Sequence, residues 1–232
     1  MNLLYTNIPE TGQRFCIKGR DPKLLIVSGT HGDEYEVLPF VEEAVIKYLD
    51  QLPEFLYVPE VSPSAVALRT RENGEGIDVN DNFFHDTKSE EVRQMMKLWE
   101  KYRFELFITF HEDTEKEKFF LYDGATKEFY DTVKLENTPE FQLLCHDVVT
   151  IGVELFNGID ELNDPTLGYE VKNGYAYWPM TFNDYSSDYW LLVERAIAKQ
   201  VINTEIPGMV SVEKKRQIVD AIFQRLLLHV TD

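Results

Sequence analysis

The chain has 232 residues, enough for one sizeable α/β core or at most two small domains. Apolar residues make up 44% of it and aromatics 13%, which excludes a disordered chain. With 23 Lys and Arg against 41 Asp and Glu the formal net charge is −18, which argues against nucleic acid or an anionic membrane as partner and mildly favours cationic or zwitterionic ligands.

The first residues, MNLLYTNIPETGQRF, lack a basic region followed by a long apolar run, so no signal peptide is expected. KLLIVSG (23–29) is a continuous branched apolar run that ends at a glycine, the pattern of a fully buried strand. EYEVLPFVEEAVIKYLDQL (34–52) follows with one-sided helical spacing. FLYVPEV (55–61) and SAVALRT (64–70) read as strands, and NGEGIDVNDNF (73–83) as a loop. SEEVRQMMKLWEKY (89–102) has a helix start at Ser89 and an apolar face at Val92, Met95, Met96 and Trp99. FELFITFH (104–111) is a buried strand ending in a histidine, and KFFLYD (118–123) a further strand. TPEFQLLCHDVVTIG (138–152) reads as a helix, 165–190 as a long aromatic loop-rich stretch, AKQVINTEIPG (198–208) as a strand, and 212–230 as a final amphipathic helix. Cys16 and Cys145 lie in apolar surroundings and read as buried thiols of a reducing cytoplasm. No stretch approaches the roughly 18 apolar residues of a membrane span. The expected location is therefore cytoplasmic.

Strands alternating with helices predict a single α/β domain over residues 1–232: a three-layer α/β/α sandwich with a mostly parallel mixed sheet. Ligands and catalysis gather beyond the carboxyl ends of such strands. Three segments end there in groups able to bind a metal or move a proton: His31 with Glu34, then His111, then Glu205. Two histidines and a carboxylate are a common ligand set for a catalytic zinc that keeps a position open for water. Such a site also needs a carboxylate outside the ligand set to carry the water's proton, and Glu205 is the candidate.

GTHGDEYE resembles the G-x-H-G-x-E signature of the zinc carboxypeptidases and of their relatives, the succinylglutamate desuccinylase/aspartoacylase group. GIDVNDNF (76–83) resembles that family's G-V-D-L-N-R-N-F, the FITFHED strand end matches the segment of its third zinc ligand, and NTEIPG (203–208) resembles the segment of its catalytic glutamate. The four motifs stand in family order across residues 27–208. The resemblance implies the carboxypeptidase fold, a Zn2+ cofactor held by His31, Glu34 and His111, and Glu205 as general base and acid. It further implies that Asp78 receives the N–H of His31, and that Arg71 or Arg69 polarises the scissile carbonyl and binds substrate. Arg71 is preferred by its distance to the GID segment.

One departure bears on specificity. The family's N-R pair, whose arginine holds a terminal carboxylate, is here Asn80-Asp81, an anion in place of a cation. A carboxylate ligand there would be repelled, by an amount on the order of several kcal/mol. The expected partner is thus a small peptide or acyl-amino acid, with a cationic or neutral group near Asn80 and Asp81. Arg195 is a candidate substitute cation. A tyrosine among 169, 175, 177, 185 and 189 would cover the substrate. His85 and His146 have no partner motif, and Glu112 and Asp113 either line the pocket or point away. The expected function is a zinc metallopeptidase of carboxypeptidase type. The alternatives are N-acyl amino acid deacylation and a non-catalytic ligand-binding member of the family.

Overall fold

The computed structural model describes residues 3–126, 134–160, 168–178 and 187–230. In chain order β1 is Thr6–Asn7, β2 Arg14–Lys18, β3 Leu24–Ser28, β4 Phe55–Val58, β5 Phe104–Asp113, β6 Phe120–Ala125, β7 Gly158–Ile159, β8 Glu170–Val171, β9 Tyr175–Tyr177 and β10 Ala198–Pro207. Eight of them form one sheet in the order β1-β2-β4-β3-β5-β10-β6-β9, and β7 pairs with β8 apart from it. The central strands β4, β3, β5 and β10 run parallel. Antiparallel β2 and β6 flank them. The sheet is therefore mixed with a parallel centre, as expected.

The helices are α1 (Leu38–Lys47), α2 (Pro63–Leu68), α3 (Glu90–Trp99), α4 (Pro139–Thr150), α5 (Asp188–Glu194) and α6 (Val212–Ile222). Every residue of β3 and β4 is buried, because a parallel centre is covered on both faces and has no polar side to offer. Leu24, Ile26, Ile108 and Phe110 face α1, α4 and α6. Leu25, Val27 and Phe107 face α3 and α5. Alternate residues of each strand thus feed two separate cores, and the three layers follow.

Several boundaries differ from the sequence reading. Residues 64–70 are not a strand: Pro63–Leu68 is helical, and Ser62 caps it by accepting from the Ala65 N–H at 3.4 Å. A Ser-Pro pair at the cap and first helical position outweighs the branched, strand-like composition behind it. The helix expected over 34–52 starts at Leu38, which leaves Glu34 on the turn before it. The last helix gives way at Phe223 to a π turn ending at Leu227. Strand β2, absent from the sequence reading, pairs with β4 and carries buried Cys16. No helix of the described residues is long and apolar enough to cross a membrane.

Candidate metal centre

The centre begins with a turn that two glycines make possible. Gly29, just after β3, has φ +66, a left-handed conformation that side chains rarely adopt. At Gly32 a Cβ would lie 1.9 Å from the Ala65 carbonyl oxygen, so the turn packs its bare backbone on α2. The Gly32 N–H also donates to Thr70 O at 2.8 Å. Between and just beyond these anchors the chain projects His31 and Glu34 inward, and both are buried.

His111 arrives from the carboxyl end of β5, two strand positions past Thr109. The Glu34 carboxylate lies between the two imidazoles. Its Oε1 is 2.5 Å from His31 Nδ1, and its Oε2 is 2.9 Å from His111 Nδ1. The Glu112 backbone N–H donates to Oε2 as well, at 3.1 Å. One ligand atom from each of His31, Glu34 and His111 lies within 4.8 Å of the others. On its far side His31 Nε2 is 3.1 Å from Asp78 Oδ1. Asp78 is fixed in turn by Arg71 Nε at 2.7 Å and by the Asn80 N–H at 3.0 Å. With its Nε2 N–H donating to Asp78 Oδ1, His31 would present the Nδ1 lone pair to an ion that displaces the other ring proton.

Burial and neighbouring charge together set the protonation of the cluster. Burial alone would lower His31, but the Glu34 and Asp78 carboxylates beside it raise it to about 10. Burial alone would raise Glu34, but the His111 and His31 imidazoles hold it well below the usual carboxylate range. Asp78 sits at about 2, because His31 and Arg71 outweigh its own desolvation. Protons on the imidazoles thus supply the positive charge that a buried carboxylate requires. Two imidazole nitrogens and a carboxylate, converging and partly held by Asp78, fit a divalent ion in place of those protons.

Glu205 is the register partner of His111 across the parallel β5–β10 ladder. Burial, reinforced by the Glu34, Asp113 and Asp160 carboxylates and opposed by His111, raises it to about 8. It lines a cavity of about 580 Å³ together with His31, Glu34, His111, Arg71 and Asn80. That volume suits a small substrate. Arg69 lies elsewhere: its guanidinium stacks on the Tyr35 ring at 4.2 Å. Asp81 is exposed and is not among the lining residues. Arg195 pairs with Glu100 and does not line the cavity.

No protein-family model matches the sequence, and no curated protein matches it. Solved structures do. A candidate metallopeptidase from Shewanella denitrificans OS217 superposes with a TM-score of 0.74 at 20% identity, over 98% of this chain and 84% of that one. A metallo-carboxypeptidase from Burkholderia cenocepacia superposes at 0.62 and 12% identity, over 94% of this chain and 60% of that one. This is the metallo-carboxypeptidase fold. An aspartoacylase family protein from Mesorhizobium loti shares it at a TM-score of 0.54 and 17% identity, over 94% of this chain and 62% of that one.

Within this carboxypeptidase fold the cavity has features the sequence reading did not single out. Asn203, buried and two residues before Glu205, faces the same side of β10 and lines the cavity. Strand alternation around Glu205 was the signal for it. Lys116 and Asp160 also line the cavity, paired at 2.8 Å, with Lys116 bonded to Asp113 too. Tyr122 donates its hydroxyl to Asp160. Of the candidate covering tyrosines, Tyr169 lines the cavity, whereas Tyr175 is buried and bonded to Asp123. Tyr185 and the side chain of Tyr189 lie outside the described residues.

Proposed function

We propose that this chain is a zinc-dependent hydrolase of amide bonds, a peptidase of carboxypeptidase type, with His31, Glu34 and His111 holding the ion. The observation that carries the reading is the union of that donor set with Glu205 in one cavity. A divalent ion bound there supplies Lewis acidity and makes water nucleophilic near neutral pH. Glu205, on the cavity wall beside His111 and outside the donor set, is placed for both halves of proton transfer. It takes the proton of the attacking water and delivers it to the departing amine nitrogen. Arg71, lining the cavity, offers a cation to the oxygen that becomes negative as the carbonyl is attacked. Asp78 holds both His31 and Arg71, one on each oxygen, and so couples the donor set to that cation.

Charge selects the substrate class. Apart from the ligand Glu34, the proton carrier Glu205 and Glu112, which Lys215 holds, the acids Asp33, Asp113, Glu115 and Asp160 line the cavity, against the cations Arg71 and Lys116. Both cations are already paired with aspartates. The favoured substrate therefore carries an amino or other cationic group, or is neutral. N-acyl amino acid deacylation is the second reading, favoured by the shared fold of the aspartoacylase family protein. The surplus of carboxylates disfavours its acidic substrates. Both cysteines are unpaired, which suits a reducing compartment, and we assign the enzyme to the cytoplasm.

The test is hydrolysis by zinc-loaded protein across a panel of peptides and acyl-amino acids, beside Glu205→Gln loaded with the same zinc. Turnover that vanishes in the variant supports an enzyme. Equal inactivity of both proteins across the panel overturns the reading and leaves a binding protein.

A further inference from the structure

Next to the metal centre, outside the cavity lining, stands a buried lysine. Lys215, on α6, has a side chain only 2% exposed. Among the described residues no other lysine or arginine is buried. Its ammonium lies 2.6 Å from Glu112 Oε1 and 2.6 Å from Glu36 Oε2. Glu112 follows His111 directly, and its backbone N–H is the donor on Glu34 Oε2. Glu36 stands two residues after Glu34 on the same turn.

One ammonium thus joins the two segments that bear all three candidate ligands. We propose that Lys215 is a positioning residue of the metal centre, locking the turn of His31 and Glu34 against the end of β5 so that the three donors are preset before an ion arrives. This rests on the metal-centre reading above.

Cost and geometry both support it. A lysine taken out of water onto a helix that could seat a leucine is an expensive way to pack, and replacing such a pair by apolar residues often stabilises a protein. Burial alone would lower Lys215, but Glu112 and Glu36 push it above its ordinary value, so it stays charged. The two carboxylates it holds come from different elements. The tie fixes a relation between segments 103 and 179 residues distant along the chain from the lysine itself. The two segments so tied are the ones that carry His31, Glu34 and His111, and a ligand set is held in place by such outer contacts.

The experiment measures zinc affinity by chelator competition and records the visible spectrum of the Co2+-loaded protein. It uses wild type, Lys215→Met, the double variant Lys215→Met/Glu112→Gln, and Glu36→Gln. The single lysine variant leaves Glu112 buried without its partner and will lose stability. The double variant removes that stranded charge and recovers part of the melting temperature. Both should bind zinc about 10- to 100-fold more weakly than wild type, with a shifted Co2+ spectrum. Glu36→Gln keeps the buried pair and half of the tie, and its affinity should fall severalfold. It carries the test if the lysine variants do not fold. Wild-type zinc affinity and an unchanged spectrum in the double variant, or in Glu36→Gln where only that variant folds, overturn the proposal and leave the centre intact. A wild type that binds no zinc removes the centre itself and this proposal with it.

Discussion

His111 and Glu205 face one another as register partners on adjacent parallel strands, one a candidate ligand and the other the candidate proton carrier. A strand ladder holds that pairing more rigidly than two loops could. Both residues also sit at the carboxyl ends of their strands, where the cavity opens.

That relation makes Glu205 the sharpest site for mutation. Glu205→Gln keeps size and shape but cannot accept a proton. Its kcat/KM on any turned-over substrate should fall by about 10²- to 10⁴-fold. Zinc content by elemental analysis should equal that of wild type, because Glu205 is not a donor in the cluster. Loss of zinc together with activity would move Glu205 into the ligand set.

Asp78 should matter through the ion. Its Oδ1 meets His31 Nε2 and its Oδ2 meets Arg71, so Asp78→Ala frees the imidazole to rotate and change tautomer. Zinc affinity should drop about 10- to 100-fold by chelator competition. Unaltered affinity would mean that packing alone aims His31.

The cluster also fixes a pH dependence. In the metal-free protein His31 is raised from 6.5 to about 10, and the stability this adds is whole below pH 6.5 and lost as pH climbs through 10. Glu205, raised from 4.5 to about 8, works in the same direction, with its loss falling between those two values. Asp78, lowered to about 2, loses its contribution only in strong acid. Metal-free protein should therefore melt at progressively lower temperature from about pH 5 to 9. Zinc bound at the proposed centre would displace the imidazole protons, so the rise in melting temperature on adding it should grow over the same interval. Calorimetry with and without a chelator checks both slopes. A zinc increment that is flat with pH would contradict the displacement.

Much of this is legible in the sequence, for local reasons. The buried strands are unbroken branched runs, and the chemistry stands beside punctuation: Gly29 and Gly32 around His31, and Pro207 after Glu205. What stayed hidden depends on contact across the fold. Helix α2 has too few residues to show a period, yet its Ala65 carbonyl is the reason that position 32 must be glycine. Lys215 reads as one more charge on an amphipathic helix until β5 and the turn before α1 are brought against it. Asp81 shows the converse: a departure conspicuous in the motif occupies an exposed position outside the cavity lining.

Gly32→Ala probes the turn itself. A Cβ 1.9 Å from the Ala65 carbonyl oxygen meets backbone, which cannot swing aside as a side chain would. Displacing α2 or the turn should cost about 1–3 kcal/mol of stability by urea titration. Zinc affinity should fall with it, since His31 and Glu34 flank the site of the clash. Wild-type stability would show that the turn is looser than its packing implies.

Substrate charge tests the cavity as a whole. Its carboxylates outnumber its cations, and Lys116 and Arg71 are bound to Asp113, Asp160 and Asp78. In a matched series differing only in one group near the scissile amide, the amino-bearing member should exceed its carboxylate analogue by at least about tenfold in kcat/KM. The preference should shrink in 1 M salt, where the screening length is about 3 Å. The source of the bias is separable by mutation. Asp160→Asn takes one negative charge from the cavity wall and leaves Lys116 less compensated, so it should narrow the preference. Asp81→Asn, at an exposed position outside the lining, should leave it nearly unchanged. The reverse order of the two variants would restore Asp81 as the specificity residue that its place in the motif suggests.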